Sequence, residues 1–380
     1  MKTLRDIETP ALVVDKGVMM RNIRRMADKF AGHGVPLRPH VKTTKCATIA
    51  KLLLDAGAKG VTVACLKEAE HFLEQGIDDL LYAVCLTPNK LPRVKKLIDK
   101  GAKLSVIIDH IDMAEMAADF CQKNRLTLPM WIEVDCGENR TGLKPEDPRL
   151  IDLAQAIFDH DHLTLVGVLT HGGHAYGAGA VDDIKVIAHE ERLAALAAKN
   201  RIESHLKVTT LKVSIGSTPT AVHGETFEGI DEVRAGVYVL GDLFQWQLGS
   251  HDVSDIAVSV LAQVMSVEEG KKVITDAGGL ALSKDRSTQK SDQDFGFGLL
   301  CNENGQLFDP QAIVNGVHQE HGEIYATKQQ PHLPPDMMKV GALVRVLPNH
   351  ACMMAAPYDR YYVVDGDHVI IDQWAKTTGW

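Results

Sequence analysis

Between residues 37 and 240 short β-branched runs alternate with segments of helical period, and this alternation restricts the chain to very few architectures. The predicted strands are 37–41, 60–64, 80–84, 104–109, 130–135, 163–170, 211–215 and 233–240. Around them lie amphipathic stripes such as Met19, Ile23, Met26 and Phe30, or Leu150, Leu153, Ala154 and Ile157, or Ile184, Ile187, Glu191 and Ala194. Strands that read as continuous apolar runs, each followed by a helix, belong to a parallel sheet covered on its faces. An eight-stranded α/β barrel closes such a sheet. The rival closure is an open doubly wound sheet, but no GxGxxG turn opens a helix after a first strand.

Beyond residue 250 the pattern changes to strands joined by turns: 257–267, 272–277, 323–327, 342–347, 361–364 and 368–374, with hairpin signals at Asn304-Gly305 and Asp365-Gly366-Asp367. The fold class expected is therefore α/β, an N-terminal (β/α)8 barrel over residues 1–248 followed by an all-β domain over 249–380. Leu12-Val13-Val14-Asp15, ahead of the barrel count, serves either as an entry strand or as a member of the second sheet. At 380 residues, two cores are the natural outcome.

Composition removes several functions. A net charge of −9 leaves no basic face for a phosphate backbone, and the cluster Lys90, Arg93, Lys95, Lys96, Lys100 has the spacing of a solvated helix face, so no nucleic-acid partner is expected. No apolar run reaches the ~20 residues of a bilayer span, and the first residues lack a signal-peptide core, so no membrane partner and a cytoplasmic location are expected. Seven scattered cysteines without a CxxC pair suit buried thiols better than disulfides.

The chemistry gathers at few positions. Lys42 ends the first predicted barrel strand, where barrel enzymes place reacting groups. An amine buried there loses solvation of its charged form and can form an imine; Lys45, read as the first turn of the next helix, is the decoy. Ser214-Ile215-Gly216-Ser217-Thr218-Pro219-Thr220 follows a late barrel strand, where small residues with open N–H groups make a phosphate cradle or, equally, an ordinary turn before proline. Phosphate together with an imine-forming lysine points to pyridoxal phosphate.

The ordered runs Thr9-Pro10-Ala11-Leu12-Val13-Val14-Asp15, Leu37-Arg38-Pro39-His40-Val41-Lys42, Gly216-Ser217-Thr218-Pro219-Thr220, Arg234-Ala235-Gly236, Glu320-His321-Gly322 and His350/Cys352 resemble the eukaryotic-type D-serine dehydratase family. That family includes D-threo-3-hydroxyaspartate dehydratase, is related to D-threonine aldolase and has the alanine-racemase fold. The resemblance implies that Lys42 is the Schiff-base lysine. It implies that Ser217 and Thr218, with the backbone of Gly236 and Val237, hold the cofactor phosphate. Arg140 matches the arginine near the cofactor's phenolic oxygen and the substrate carboxylate, His171 the histidine beneath the pyridine ring, and Tyr176 a nearby cofactor contact. Arg234 matches the arginine facing the ring nitrogen in alanine racemases.

His350 and Cys352 stand two residues apart, and on a strand both point to one face. A pair this close is commonly a core feature; the resemblance makes it a metal site, for which imidazole and thiolate suit Zn²⁺, with Mn²⁺ as another divalent candidate. The implied reaction is metal-assisted β-elimination from a D-amino acid bearing a 3-hydroxyl, D-serine or D-threo-3-hydroxyaspartate, to a 2-oxo acid and ammonia. Lys42 would take the α-proton and the metal would assist departure of the hydroxyl. Arg286 and His321 are candidates to meet a second substrate carboxylate, and Glu320 has no assigned role. The rivals are a D-threonine aldolase, disfavoured by the cysteine, and a non-catalytic pyridoxal-phosphate carrier, disfavoured by the second domain. The resemblance also implies a homodimer.

Overall fold

The computed structural model describes residues 2–327 and 331–380. The chain divides into two compact units, one from residues 26–42 and 49–236, the other from residues up to 25, 43–48 and 237–379.

The second of these units holds an antiparallel-rich sheet that begins with β1 (Ala11–Asp15). The barrel unit contains β2 (Val61–Val63), β3 (Asp79–Tyr82), β4 (Lys103–Ile108), β5 (Leu128–Val134), β6 (Leu163–Thr170), β7 (Lys212–Ile215) and β8 (Glu232–Val233), each paired in parallel with the next. Residues 36–41 complete the ring. On one edge Arg38 and His40 donate backbone N–H groups to Val233 and Ala235, both at 2.9 Å; on the other Val41 donates to Thr62 and Thr62 to Pro39, at 2.9 and 2.8 Å. Pro36 and Pro39 carry no N–H, so this eighth stave bonds intermittently where a regular strand was expected. The expected strand at 233–240 also shortens to two residues. Gly236 approaches so closely that an added Cβ would lie 2.5 Å from the His40 carbonyl oxygen, and the chain then turns into a short 3-10 segment, Val237–Val239.

Side chains of the central staves pack inward as a layer of Leu81, Ile107, Trp131 and Leu169. A chain of polar groups runs beside it along the barrel. Arg38 pairs with Asp79 at 2.7 Å and with Glu232 at 2.8 Å; Glu232 accepts from the Ser214 hydroxyl at 2.9 Å; Arg234 donates to that hydroxyl and to the Thr170 carbonyl, the latter at 2.7 Å. Each buried charge has an ionic or hydrogen-bonded partner, as burial requires.

The other unit contains β9 (Val258–Glu268), β10 (Lys272–Thr275), β11 (Leu299–Asn302), β12 (Gly316–Val317), β13 (Gly322–Tyr325), β14 (Leu343–Leu347), β15 (Arg360–Val364) and β16 (Asp372–Ala375). Leu12–Asp15 is resolved as a sheet member: β1 lies between β9, antiparallel, and β15, parallel. β11 and β12 escaped the sequence reading because one is a four-residue run and the other a two-residue one. Among the described residues no helix is long and apolar enough to cross a membrane.

The Arg38–Glu232 pair is almost fully buried, with side chains 9 % and 5 % exposed. Glu232→Ala removes the buried partner and leaves Arg38 with only the part-exposed Asp79, so it should destabilise the protein by about 1–3 kcal/mol. Urea unfolding followed by tryptophan fluorescence measures this.

Candidate active site

At the C-terminal end of the barrel strands an open cavity, about 400 Å³ with the solvent at its mouth included, is lined by His40, Lys42, Ala83, Ile107, Glu133, Arg140, Leu169, His171, Gly216 and Arg234. Four of the residues singled out from sequence therefore meet in one place: Lys42, Arg140, His171 and Arg234. Lys42 follows the eighth stave on a turn and its side chain is exposed, not buried as expected, because the stave ends at the rim of the cavity. Lys45 stands ahead of the helix Ala47–Asp55, not in its first turn, with a left-handed φ of 49°.

Arg140 lies on the loop after β5. Asp135 shapes that loop by accepting from the backbone of Gly137 and Asn139 at 2.9 and 3.0 Å, and Asp109 holds its far end by accepting from Gly142 at 3.0 Å. The exposed Arg140 guanidinium also pairs with Glu138 at 3.4 Å. His171 follows β6, and its Nδ1 lies 2.9 Å from the Gly216 carbonyl oxygen. Burial pushes the His171 pKa down to about 3, and the charges of Lys42, Arg140 and Arg234 act in the same direction. The imidazole is neutral at neutral pH.

Tyr176 sits beside His171, ring centroids 6.5 Å apart. Ser217 and Thr218 are buried and lie just past the cavity wall. Ser217 caps the short helix Thr218–His223 by exchanging hydrogen bonds with Thr220, its hydroxyl 3.0 Å from the Thr220 hydroxyl. Gly236 makes its close approach to His40, and Val237 opens the following 3-10 segment.

Sequence reasoning passed over Glu133, a carboxylate in the apolar run of β5 that lines the cavity and accepts from the Cys85 thiol at 3.0 Å. A lone acid in a buried strand was the available signal. With Asp109 these two form the one group of three or more His, Cys, Asp or Glu ligand atoms within 4.8 Å of one another among the described residues. Burial and the neighbouring Glu133 and Asp109 carboxylates raise the Cys85 pKa, so the thiol is protonated and serves as a donor.

In the other unit, His350 and Cys352 do not share a strand face. β14 stops at Leu347, ahead of Pro348; His350 is the extended N-cap residue and Cys352 lies in the helix Ala351–Ala355. The turn is clamped by Asp242, which accepts from Ala351 N–H at 2.9 Å, and by the Asn349 amide, which donates to the Gly296 carbonyl at 2.6 Å. His350 Nδ1 is 3.3 Å from Asp285, and Cys352 Sγ is 3.1 Å from the Thr43 hydroxyl. Burial lowers the His350 pKa, but hydrogen bonds with Asp285 and Cys352 outweigh it and raise it to about 11. Imidazole and thiol lie two residues apart at this helix start, a nitrogen and sulfur donor pair whose chemistry fits a zinc-like ion. Arg286 is engaged by Asp294 at 2.6 Å and stacks on Phe297, while Glu320 and His321 are exposed.

Two family models cover most of the chain: "Alanine racemase, N-terminal domain" over residues 14–243 and "Putative serine dehydratase domain" over 257–364. The chain is 36 % identical over 381 residues to the D-threo-3-hydroxyaspartate dehydratase of Delftia sp. (strain HT23), covering 100 % of this chain and 99 % of that one. The solved structure of that enzyme superposes with a TM-score of 0.95 over 100 % of both chains, and a variant of it has been solved in a metal-free form. The D-serine dehydratase of Dictyostelium discoideum is 31 % identical over 99 % of this chain and 98 % of its own. A D-threonine aldolase from Filomicrobium marinum, 24 % identical, shares the fold with a TM-score of 0.83 over 99 % of this chain and 97 % of that one.

A histidine whose folded pKa lies below its unfolded value takes up a proton on unfolding. The stability it contributes is complete above about pH 6.5 and falls away as the pH drops toward 3. In the cofactor-free protein, stability should fall by about 1.6 kcal/mol between pH 6.5 and 5 on account of His171. Urea midpoints across that range, compared with His171→Gln, should show a flatter dependence in the variant.

Proposed function

The chain belongs to the D-serine dehydratase and D-threo-3-hydroxyaspartate dehydratase family, and from that premise we propose that it is a pyridoxal-phosphate- and metal-dependent dehydratase of D-amino acids bearing a 3-hydroxyl. The observation that carries this reading is the meeting of Lys42, Arg140, His171 and Arg234 around one barrel cavity. The cofactor fits the residues present, because its anionic phosphate and phenolic oxygen suit a cationic lining and its aldehyde suits a reachable lysine amine.

When bound, pyridoxal phosphate would supply an electron sink for charge developing at Cα, and a divalent ion, Zn²⁺ or Mn²⁺, would act as Lewis acid on the departing hydroxyl. Lys42 Nζ would hold the cofactor at rest and receive the α-proton during turnover. Arg140 would meet the substrate carboxylate. A neutral His171 would pack against the ring without adding charge, and Arg234, held by Ser214 and Thr170, would face the ring nitrogen. Ser217 and Thr218, with the backbone of Gly236 and Val237, are assigned to the phosphate, Tyr176 to a cofactor contact, and His350 and Cys352 to the metal. In this reading residues 1–248 carry the cofactor, residues 249–380 carry the metal, and the active form is a homodimer.

Protein supplied with pyridoxal phosphate and Zn²⁺ should release equal amounts of ammonia and 2-oxo acid from D-serine or D-threo-3-hydroxyaspartate, and EDTA should abolish this. Lys42→Ala should lose at least about 10²–10⁴-fold in turnover. Glycine and acetaldehyde from D-threonine, without ammonia from the other two substrates, would contradict the reading.

A further inference from the structure

The helix Val181–Leu206 buries a carboxylate that none of the chemistry above uses. Glu191 lies in its inner stripe with Ile184, Ala188 and Ala195, and is fully shielded from solvent. One oxygen, Oε1, accepts two backbone N–H groups, from Gly172 at 2.6 Å and from Gly216 at 2.9 Å. Gly172 directly follows His171 after β6, and Gly216 lies between β7 and Ser217. A single atom thus ties together the turns that leave two neighbouring staves.

The same residue faces His171 through its next peptide group, since the Gly216 carbonyl, in the peptide that leads to Ser217, lies 2.9 Å from His171 Nδ1. A carbonyl can only accept, so the neutral ring carries its proton on Nδ1 and keeps its lone pair on Nε2. The backbone is shaped for the carboxylate: a Cβ at Gly172 would stand 3.0 Å from Glu191 Cδ, and Gly216 has a φ of +129° that side-chain-bearing residues rarely adopt. Burial raises the Glu191 pKa against the pull of the Gly216 and Gly172 N–H groups, a cost that an apolar side chain of equal length would not incur.

We infer that Glu191 is a positioning residue of the cofactor site, fixing the backbone at Gly216 so that the carbonyl of this residue selects the Nδ1–H form of His171 and the turn into Ser217 is held ready for the phosphate. The inference rests on the pyridoxal-phosphate reading for its purpose, and on geometry alone for its effect on His171.

The test uses the full chain with Glu191→Gln, Glu191→Met and Glu191→Asp. Folding is checked by circular dichroism, the His171 tautomer by ¹⁵N NMR of the cofactor-free protein, and cofactor affinity by absorbance titration with pyridoxal phosphate. Glu191→Gln keeps an acceptor of the same reach and should match the parent in tautomer and affinity. Glu191→Met and Glu191→Asp cannot accept from both peptides; they should mix the tautomers and weaken cofactor binding about tenfold or more. A folded Met or Asp variant with the parent's tautomer and affinity would overturn the inference, and so would a Gln variant that loses them. Should the parent bind no pyridoxal phosphate, the functional reading falls, while the tautomer comparison still decides the role of Glu191.

Discussion

The arrangement of the barrel site depends on one polar chain that runs from the part-exposed Asp79 into the interior, to Arg38, Glu232, Ser214, Arg234 and the Thr170 carbonyl. A guanidinium such as that of Arg234 cannot be held inside a barrel by packing alone, because the charge must be matched wherever it is desolvated. Two staves that close the ring, the 36–41 segment and β8, are joined both by backbone hydrogen bonds and by the Arg38–Glu232 pair. The end of the chain of contacts is a cationic group presented to the cavity from a fixed direction. Positions downstream inherit that rigidity: Gly216 is bracketed by Arg234 on one side and by Glu191 and His171 on others.

The lining combines three basic side chains, Lys42, Arg140 and Arg234, with two histidines, His40 and the neutral His171, and a single carboxylate, Glu133. That balance favours an anionic occupant and adds to the burial that keeps His171 uncharged at physiological pH. Glu133 and the protonated Cys85 thiol offer a neutral-to-negative counterweight on the β3 to β5 side, so charge across the cavity is asymmetric. Such asymmetry would orient a dipolar aromatic cofactor of the kind proposed.

Much of this was legible in the residues. All eight barrel staves were located, seven of them to within two residues at either end, because buried parallel strands are written as apolar, β-branched runs, and Lys42 stands at the cavity because it follows a strand end. What escaped was set by tertiary contact. Prolines 36 and 39 thin the ladder of the 36–41 stave, and the close approach of Gly236 to His40, which is not a local property of the sequence, ends β8 early. Pro348 and the Asp242 clamp turn His350 and Cys352 onto a helix start, where an extended strand was expected. Glu191 sat in plain view on an apolar stripe, yet only the fold reveals which two peptide groups it serves.

The central claim is that Lys42 is the residue to which the cofactor is joined. Reducing the pyridoxal-phosphate-loaded protein with borohydride, digesting it and mapping the pyridoxyl group by mass spectrometry tests this directly. The account predicts a single modified lysine, Lys42, at near-stoichiometric yield. Modification at Lys45 or another lysine, or no modification in protein that has taken up the cofactor, would contradict it.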